Sequence, residues 1–166
     1  MQGESLVNHE RKPTVSAVVP VYNSANSLTE LVERLSKVLE EHSSAFEIIF
    51  VNDGSRDNRW DVVVSLADRY PFLRALNLSR NYDQHNALLA GIRAARYELI
   101  VTLDDDLQNP FEEIPKLIEE LRWSGSDVVY GVPKEEEHGL GRDLALQFNS
   151  FRRFRLTHSQ VRVYHV

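Results

Sequence analysis

The chain has 166 residues, 27% of them charged, with a formal net charge of -6 and no cysteine. A chain of that length makes one domain and buries roughly two thirds of the surface its unfolded form exposes. The missing cysteines exclude a disulfide framework and thiolate metal sites and fit a reducing cytoplasm, while the acidic balance argues against nucleic acid as a partner.

Residues 1–13 form a polar N-terminal segment with no signal-peptide core. No apolar run approaches the roughly 20 residues that a membrane helix needs. Val15-Ser16-Ala17-Val18-Val19 predicts a buried strand ended by Pro20. Ser27-Leu28-Thr29-Glu30 has the pattern of a capping box, and Leu28, Leu31, Val32, Leu35, Val38 and Leu39 follow at helical spacing. Phe46 to Val51 predicts a second strand, and Trp60, Val63, Val64 and Ala67 a second helical stripe. Arg74 to Leu78 reads as a third strand, followed by an alanine-rich helix from Ala87 to Ala95 whose small residues permit close packing. Leu99 to Leu103 is the fourth strand. Asn109-Pro110 then opens a helix with Glu112 and Glu113 in its first turn, where the helix dipole favours acids, and Ile114, Leu117, Ile118 and Leu121 on its buried face. Asp127 to Gly131 is the fifth strand.

Strict alternation of strand and helix predicts an α/β fold: a mostly parallel central sheet with right-handed crossovers and helices on both faces. The pattern fades after the fifth strand. Residues 134–166 are expected to form a charged loop and a basic, aromatic tail. From Gly139 onward there are five arginines (Arg142, Arg152, Arg153, Arg155, Arg162) against one acid, Asp143. A basic tail on an acidic body suits a phosphate-bearing or membrane-surface contact, and a plain basic surface helix would have the same composition.

In open parallel sheets, ligands bind in the crevice beyond the carboxyl ends of the strands. The unusual polar residues of this chain fall at those ends. Pro20-Val21-Tyr22-Asn23 follows the first strand, Asn52-Asp53-Gly54-Ser55 the second, Ser79-Arg80-Asn81-Tyr82 the third, and Asp104-Asp105-Asp106-Leu107-Gln108 the fourth. Three consecutive carboxylates repel one another, and a divalent cation is the usual compensation. Mg²⁺ and Mn²⁺ take oxygen ligands and share their shell between carboxylates and phosphates. An acidic, solvated turn capping the next helix fits the same residues. No phosphate-binding Gly-x-x-x-x-Gly-Lys-Ser/Thr run occurs, and no Gly-x-Gly-x-x-Gly follows the first strand. His85 and His138 lack partners at metal-ligand spacing and read as surface or satisfied histidines.

Taken together, Val18-Val19-Pro20-Val21-Tyr22-Asn23, Val51-Asn52-Asp53-Gly54-Ser55, Ser79-Arg80-Asn81-Tyr82 and Leu103 to Gln108 resemble the ordered motifs of family-two glycosyltransferases with the GT-A, Rossmann-like fold. The nearest branch is the polyprenyl-phosphate glycosyltransferases, of the dolichol-phosphate mannose synthase type. The resemblance covers residues 14–133 as a GT-A donor-binding domain. It implies that Pro20, Tyr22, Val51 and Asp53 hold the base and ribose of a nucleotide diphosphate sugar, with Asp104 and Asp105 also at the donor. Asp104 and Asp106 become the outer members of an Asp-x-Asp motif, with Gln108 as a further metal neighbour and Asp106 as the catalytic position. A divalent cation, Mg²⁺ or Mn²⁺, is the implied cofactor.

The expected activity is metal-dependent, inverting transfer of a sugar from a nucleotide diphosphate to a polyprenyl phosphate, in the cytoplasm or at the cytoplasmic face of an anionic membrane. A family-two transferase acting on a saccharide hydroxyl, and a nucleotide-sugar-binding module without turnover, are the alternatives. Departures from the family pattern include Ser24 where an acid is usual, Asp83-Gln84 in place of Gly-Lys, and only about 35 residues after the fifth strand.

Overall fold

The computed structural model describes residues 11–21, 27–54, 59–108, 110–132, 147–151 and 162–165. Its elements run β1 (Thr14–Val21), α1 (Leu28–His42), β2 (Ala45–Asn52), α2 (Arg59–Arg69), β3 (Leu73–Asn77), α3 (Gln84–Ala94), β4 (Leu99–Thr102), a single 3-10 turn (Phe111–Glu113), α4 (Ile114–Ser124), β5 (Val128–Val132), β6 (Gln147–Phe151) and β7 (Arg162–His165). They build one sheet in the order β3-β2-β1-β4-β7-β5-β6. Every pairing is parallel except β5 with β6.

Because side chains alternate across a strand, the two faces of the apolar central strands require separate covers. Val15, Ala17, Val19 and Val21 of β1 share one core with Ile48, Phe50, Leu99 and Val101. Over it lie the stripes of α1 (Leu28, Leu31, Val32, Leu35, Leu39), α2 (Val63, Leu66) and α4 (Ile114, Leu117, Ile118, Leu121). Val18, Ile49, Val51 and Ile100 face the other way, against Ala87 of α3. Gly91 brings α3 close. A Cβ there would stand 2.3 Å from Val18 Cγ1 and 2.9 Å from Val51 Cγ2. At the amino end of the sheet the carboxylate of buried Glu47 accepts hydrogen bonds from Ser16 Oγ (2.8 Å), Arg74 Nη1 (2.9 Å) and the Arg96 backbone N–H (2.8 Å). That acid is a structural tie between β1, β2, β3 and the start of β4.

Three expectations change. Pro20 does not end the first strand: it lies within β1, opposite Val51 of β2. The β4 ladder stops at Val18↔Thr102, where the Val18 carbonyl accepts from the Leu103 N–H. Two residues further along, the same edge of β1 has no strand to pair with, so a proline without an N–H loses nothing. Ser27 does not close a capping box. Its hydroxyl donates to the Asp105 carbonyl oxygen at 3.3 Å and makes no side-chain cap bond. Lastly, segment 134–166 is not only loop and tail, because it supplies β6 and β7 to the sheet. Gln147 to Phe151 and Arg162 to His165 carry no period-two alternation, since Asn149-Ser150 and Val163-Tyr164 are like neighbours, so local pattern does not mark either segment as a strand.

Candidate functional site

Strand order reverses at β1, whose neighbours are β2 on one side and β4 on the other. The loops leaving β1 and β4 therefore part and leave a crevice beyond their carboxyl ends. A cleft of about 460 Å³ opens there, lined by Pro20, Val21, Asp53, Asn81, Asp83, Gln84, Asp104, Asp105 and Asp106. Its size falls within the range of small-molecule sites.

Each wall has a local cause. At the end of β2, Asn52 is buried and its Nδ2 donates to Asn77 Oδ1 at 2.9 Å, while its carbonyl accepts from the Leu78 N–H at 2.9 Å. These bonds tie the exits of β2 and β3 together. Asp53, only 5% exposed, then accepts the Tyr82 N–H on Oδ1 at 2.7 Å. Between them Gly54 has φ +66, and a Cβ would fall 2.2 Å from the Arg80 carbonyl carbon and 2.5 Å from the Asn81 nitrogen. Only glycine allows the 79–83 loop to lie this close to the end of β2. Tyr82 stacks beneath the Arg80 guanidinium, 4.8 Å from the ring centroid, and its hydroxyl lies 3.3 Å from Ser79 Oγ. The Ser79 hydrogen bond first, then the hydrogen bond and charge of Arg80, hold its phenol below the ordinary tyrosine value.

On the β4 side, buried Leu103 and Phe111 bracket the acidic loop and half-buried Leu107 packs against the main core. Asp105 is buried, Asp104 half-buried and Asp106 exposed. The Gln108 N–H donates to Asp106 Oδ1 at 3.0 Å, across a Leu107 held at φ 59. A branched side chain at positive φ costs on the order of 1–2 kcal/mol, so the turn persists because its ends are anchored. From across the cleft, Gln84 Nε2 donates to Asp104 Oδ1 at 2.8 Å. Gln84 opens α3, and Asp83 before it adopts φ 77, a region that favours glycine.

Of the residues singled out in the sequence, Pro20, Asp53, Asp104, Asp105 and Asp106 line the cleft together. Gln108 joins the acidic turn through its backbone, and its side chain is not part of the lining. Val51 is fully buried, packed with Val18, Ile49 and Ala87 in the core beneath α3. Tyr22 lies outside the described residues. Sequence reading missed Asp83 and Gln84 as part of the site and noted them only as departures from a pattern. Their signal was position: they open the helix that follows the third strand, on the same rim as the other motifs.

Five carboxylates and no basic side chain line the cleft among the described residues. No group of three or more His, Cys, Asp or Glu side chains within those residues forms a metal cage by itself. The oxygen-only donor set fits a hard cation that completes its shell with phosphate oxygens and water. Of the three consecutive aspartates, Asp105 is buried, which leaves Asp104 and Asp106 the more accessible carboxylates.

Comparison with known proteins agrees with this geometry. Residues 16–165 match the model of glycosyl transferase family 2, and the chain belongs to that family. It is 45% identical over 129 residues to an undecaprenyl-phosphate 4-deoxy-4-formamido-L-arabinose transferase of Pseudomonas aeruginosa (strain LESB58), covering 77% of this chain and 38% of that protein. The transferase of the same name from Yersinia pestis (strain Pestoides F) is 42% identical over 132 residues, 79% of this chain and 40% of the relative. This chain thus spans about two fifths of the length of these relatives. Among solved structures, the mannosyltransferase PcManGT of Pyrobaculum calidifontis, in complex with GDP-Man and Mn²⁺, superposes with a TM-score of 0.61 at 21% identity, over 76% of this chain and 37% of that one. Staphylococcus aureus TarS 1–349 with UDP-GlcNAc gives 0.56 at 22%, over 78% and 37%. The fold is the GT-A fold of nucleotide-sugar transferases, as the sequence motifs implied.

Proposed function

We propose that this chain is the donor-binding unit of a metal-dependent, inverting glycosyltransferase that moves a sugar from a nucleotide diphosphate to a polyprenyl phosphate. The carrying observation is the cleft at the β1/β4 switch point, lined by five aspartates and no cation among the described residues. A diphosphate entering alone would meet only like charge, whereas a Mg²⁺ or Mn²⁺ held by Asp104 and Asp106 would offset the charge of those two carboxylates and give the diphosphate oxygens a cation to bind. Bound there, the cation neutralises the diphosphate and makes it a better leaving group. Asp53, at the end of β2, has the position and chemistry to accept hydrogen bonds from the nucleoside, and Pro20 lines the same cleft; Tyr22, which the family resemblance assigns to the same task, follows β1 in sequence. Val51 supports that wall from within the core. Asp106 is the exposed carboxylate of the three and the one nearest to the chemistry in this reading.

The acceptor assignment is supported by the relatives named as undecaprenyl-phosphate transferases. A phosphate monoester is already anionic near neutral pH, so its oxygen attacks the anomeric carbon without a general base. The new bond forms on the face opposite the departing nucleoside diphosphate, which takes the electron pair of the broken C–O bond. A saccharide hydroxyl would need a base to remove its proton.

Such an acceptor places the enzyme at an anionic bilayer, and the five arginines after Gly139 suit that contact. Most of that segment lies outside the described residues, and no described helix is long and apolar enough to cross a membrane. Incubation of the protein with radiolabelled UDP- and GDP-sugars, Mn²⁺ and undecaprenyl phosphate should yield a labelled lipid. Transfer only to free saccharides would favour a hydroxyl acceptor. Metal-dependent donor binding with no transfer would leave a binding module.

A further inference from the structure

Resting on that cation reading, we infer that Gln84 is a positioning residue for the metal site, acting through Asp104. Asp104 follows β4 in a run of three like charges, where mutual repulsion alone leaves its carboxylate without a preferred orientation. The described hydrogen bond that orients it comes from Gln84 Nε2, 2.8 Å from Oδ1. That donor stands on a rigid base. Gln84 is the first residue of α3, which is seated by the buried Ala87 and by the close approach of Gly91 to Val18 and Val51. The bond therefore fastens the acidic loop of β4 to the helix that covers the opposite side of the cleft.

The chemistry of the side chain suits the task. A primary amide donates a hydrogen bond without carrying charge, so it orients the carboxylate while leaving its full negative charge for the cation. A glutamate in its place would repel Asp104. Partners that hold a metal ligand in place commonly contribute tenfold or more in metal affinity.

A thermodynamic cycle isolates the role. UDP and GDP are titrated calorimetrically into wild type, Gln84→Leu, Asp104→Ala and the double variant, each in Mn²⁺ and in EDTA. Leucine is one bond shorter than glutamine, of comparable bulk, and donates nothing. Expected for Gln84→Leu is a loss of about tenfold in Mn²⁺-dependent affinity for the tighter-binding nucleotide, with EDTA affinity and thermal midpoint unchanged. In the Asp104→Ala background the same substitution should change nothing, because its target is gone. An unchanged Mn²⁺ response in Gln84→Leu overturns the role of Gln84, as does an equal loss in both backgrounds, which would mean that Gln84 touches the donor directly. A wild type whose nucleotide affinity ignores Mn²⁺ overturns the cation reading itself.

Discussion

Asp53 and Asp106 are both rim aspartates, yet their surroundings differ, and the roles proposed for them differ accordingly. Asp53 is almost wholly buried and bonded to the Tyr82 backbone, whereas Asp106 is exposed and bonded only within its own turn among the described contacts. Replacing Asp53 with Ala should therefore weaken nucleoside binding by about tenfold, the equivalent of 1.4 kcal/mol, which is the usual worth of a charged hydrogen bond. Mn²⁺ affinity measured with bare pyrophosphate should stay close to wild type; equal loss of both would reject the division. Asp106→Asn keeps size and removes charge, so titration of the nucleotide should lose most of its Mn²⁺ dependence while the thermal midpoint holds. Tyr82 supplies a spectroscopic handle on the same wall. Ser79 and Arg80 favour its phenolate, so its pKa lies below the ordinary 10.0. A folded-state pKa that is depressed adds stability above the unfolded value and loses it as pH falls through the folded value. The wild-type minus Tyr82→Phe difference at 295 nm should show ionisation earlier than for Tyr70, whose phenol is pushed up by burial and then by Glu33. Coincident titrations would mean that Arg80 does not sit over Tyr82 in solution.

Helix and strand periods exposed most of the elements in the sequence, because α1 and α4 each carry one uninterrupted apolar stripe and β1, β2 and β4 are buried on both faces. What local pattern could not give was where elements touch. The capping-box reading of Ser27 failed because its hydroxyl serves a loop 78 residues away, a choice made by tertiary packing. Gln84 was passed over for the same reason, since its partner lies 20 residues further on. Gly91 looked like one small residue among several in α3, but in the structure it sits so close to the sheet that a Cβ would strike Val18 and Val51. Gly91→Ala should cost about 1–3 kcal/mol in urea unfolding, typical of overpacking a filled contact, and should weaken Mn²⁺-dependent nucleotide binding by lifting Gln84 away from Asp104. Gly54→Ala is more severe in kind. Its Cβ would strike backbone rather than a rotatable side chain, at a φ that alanine resists. Loss of nucleoside affinity is expected there even at temperatures where the variant remains folded, and binding equal to wild type would show that the 79–83 loop is not held against β2.

Across the whole molecule, the rim of four motifs was readable because α/β sheets send every β-to-α loop to one edge, so residues distant in sequence converge without any pairing information. The far half of the sheet was not readable, because its order is non-local. β7, the last strand in the chain, inserts between β4 and β5, pairing Ile100 with Val163 on one side and Val128 with Val163 on the other. Within the sheet, the β5–β6 pair therefore joins β1 to β4 through β7, while Val129 of β5 also shares the main core with α4. A proline at position 163 removes a backbone donor from a strand paired on both edges, and its ring opposes the neighbouring strand. Val163→Pro should lower the thermal midpoint by several degrees, as expected for a loss of a few kcal/mol in a domain of this size. Hydrogen exchange should localise the damage: amides of 128–132 and 147–151 lose protection, while those of β1, β2 and β3 keep it. Because the cleft is built from the exits of β1 to β4, UDP or GDP binding in Mn²⁺ should survive in the fraction that stays folded. A variant with the wild-type midpoint and unchanged exchange in 128–132 would remove β7 from the centre of the sheet.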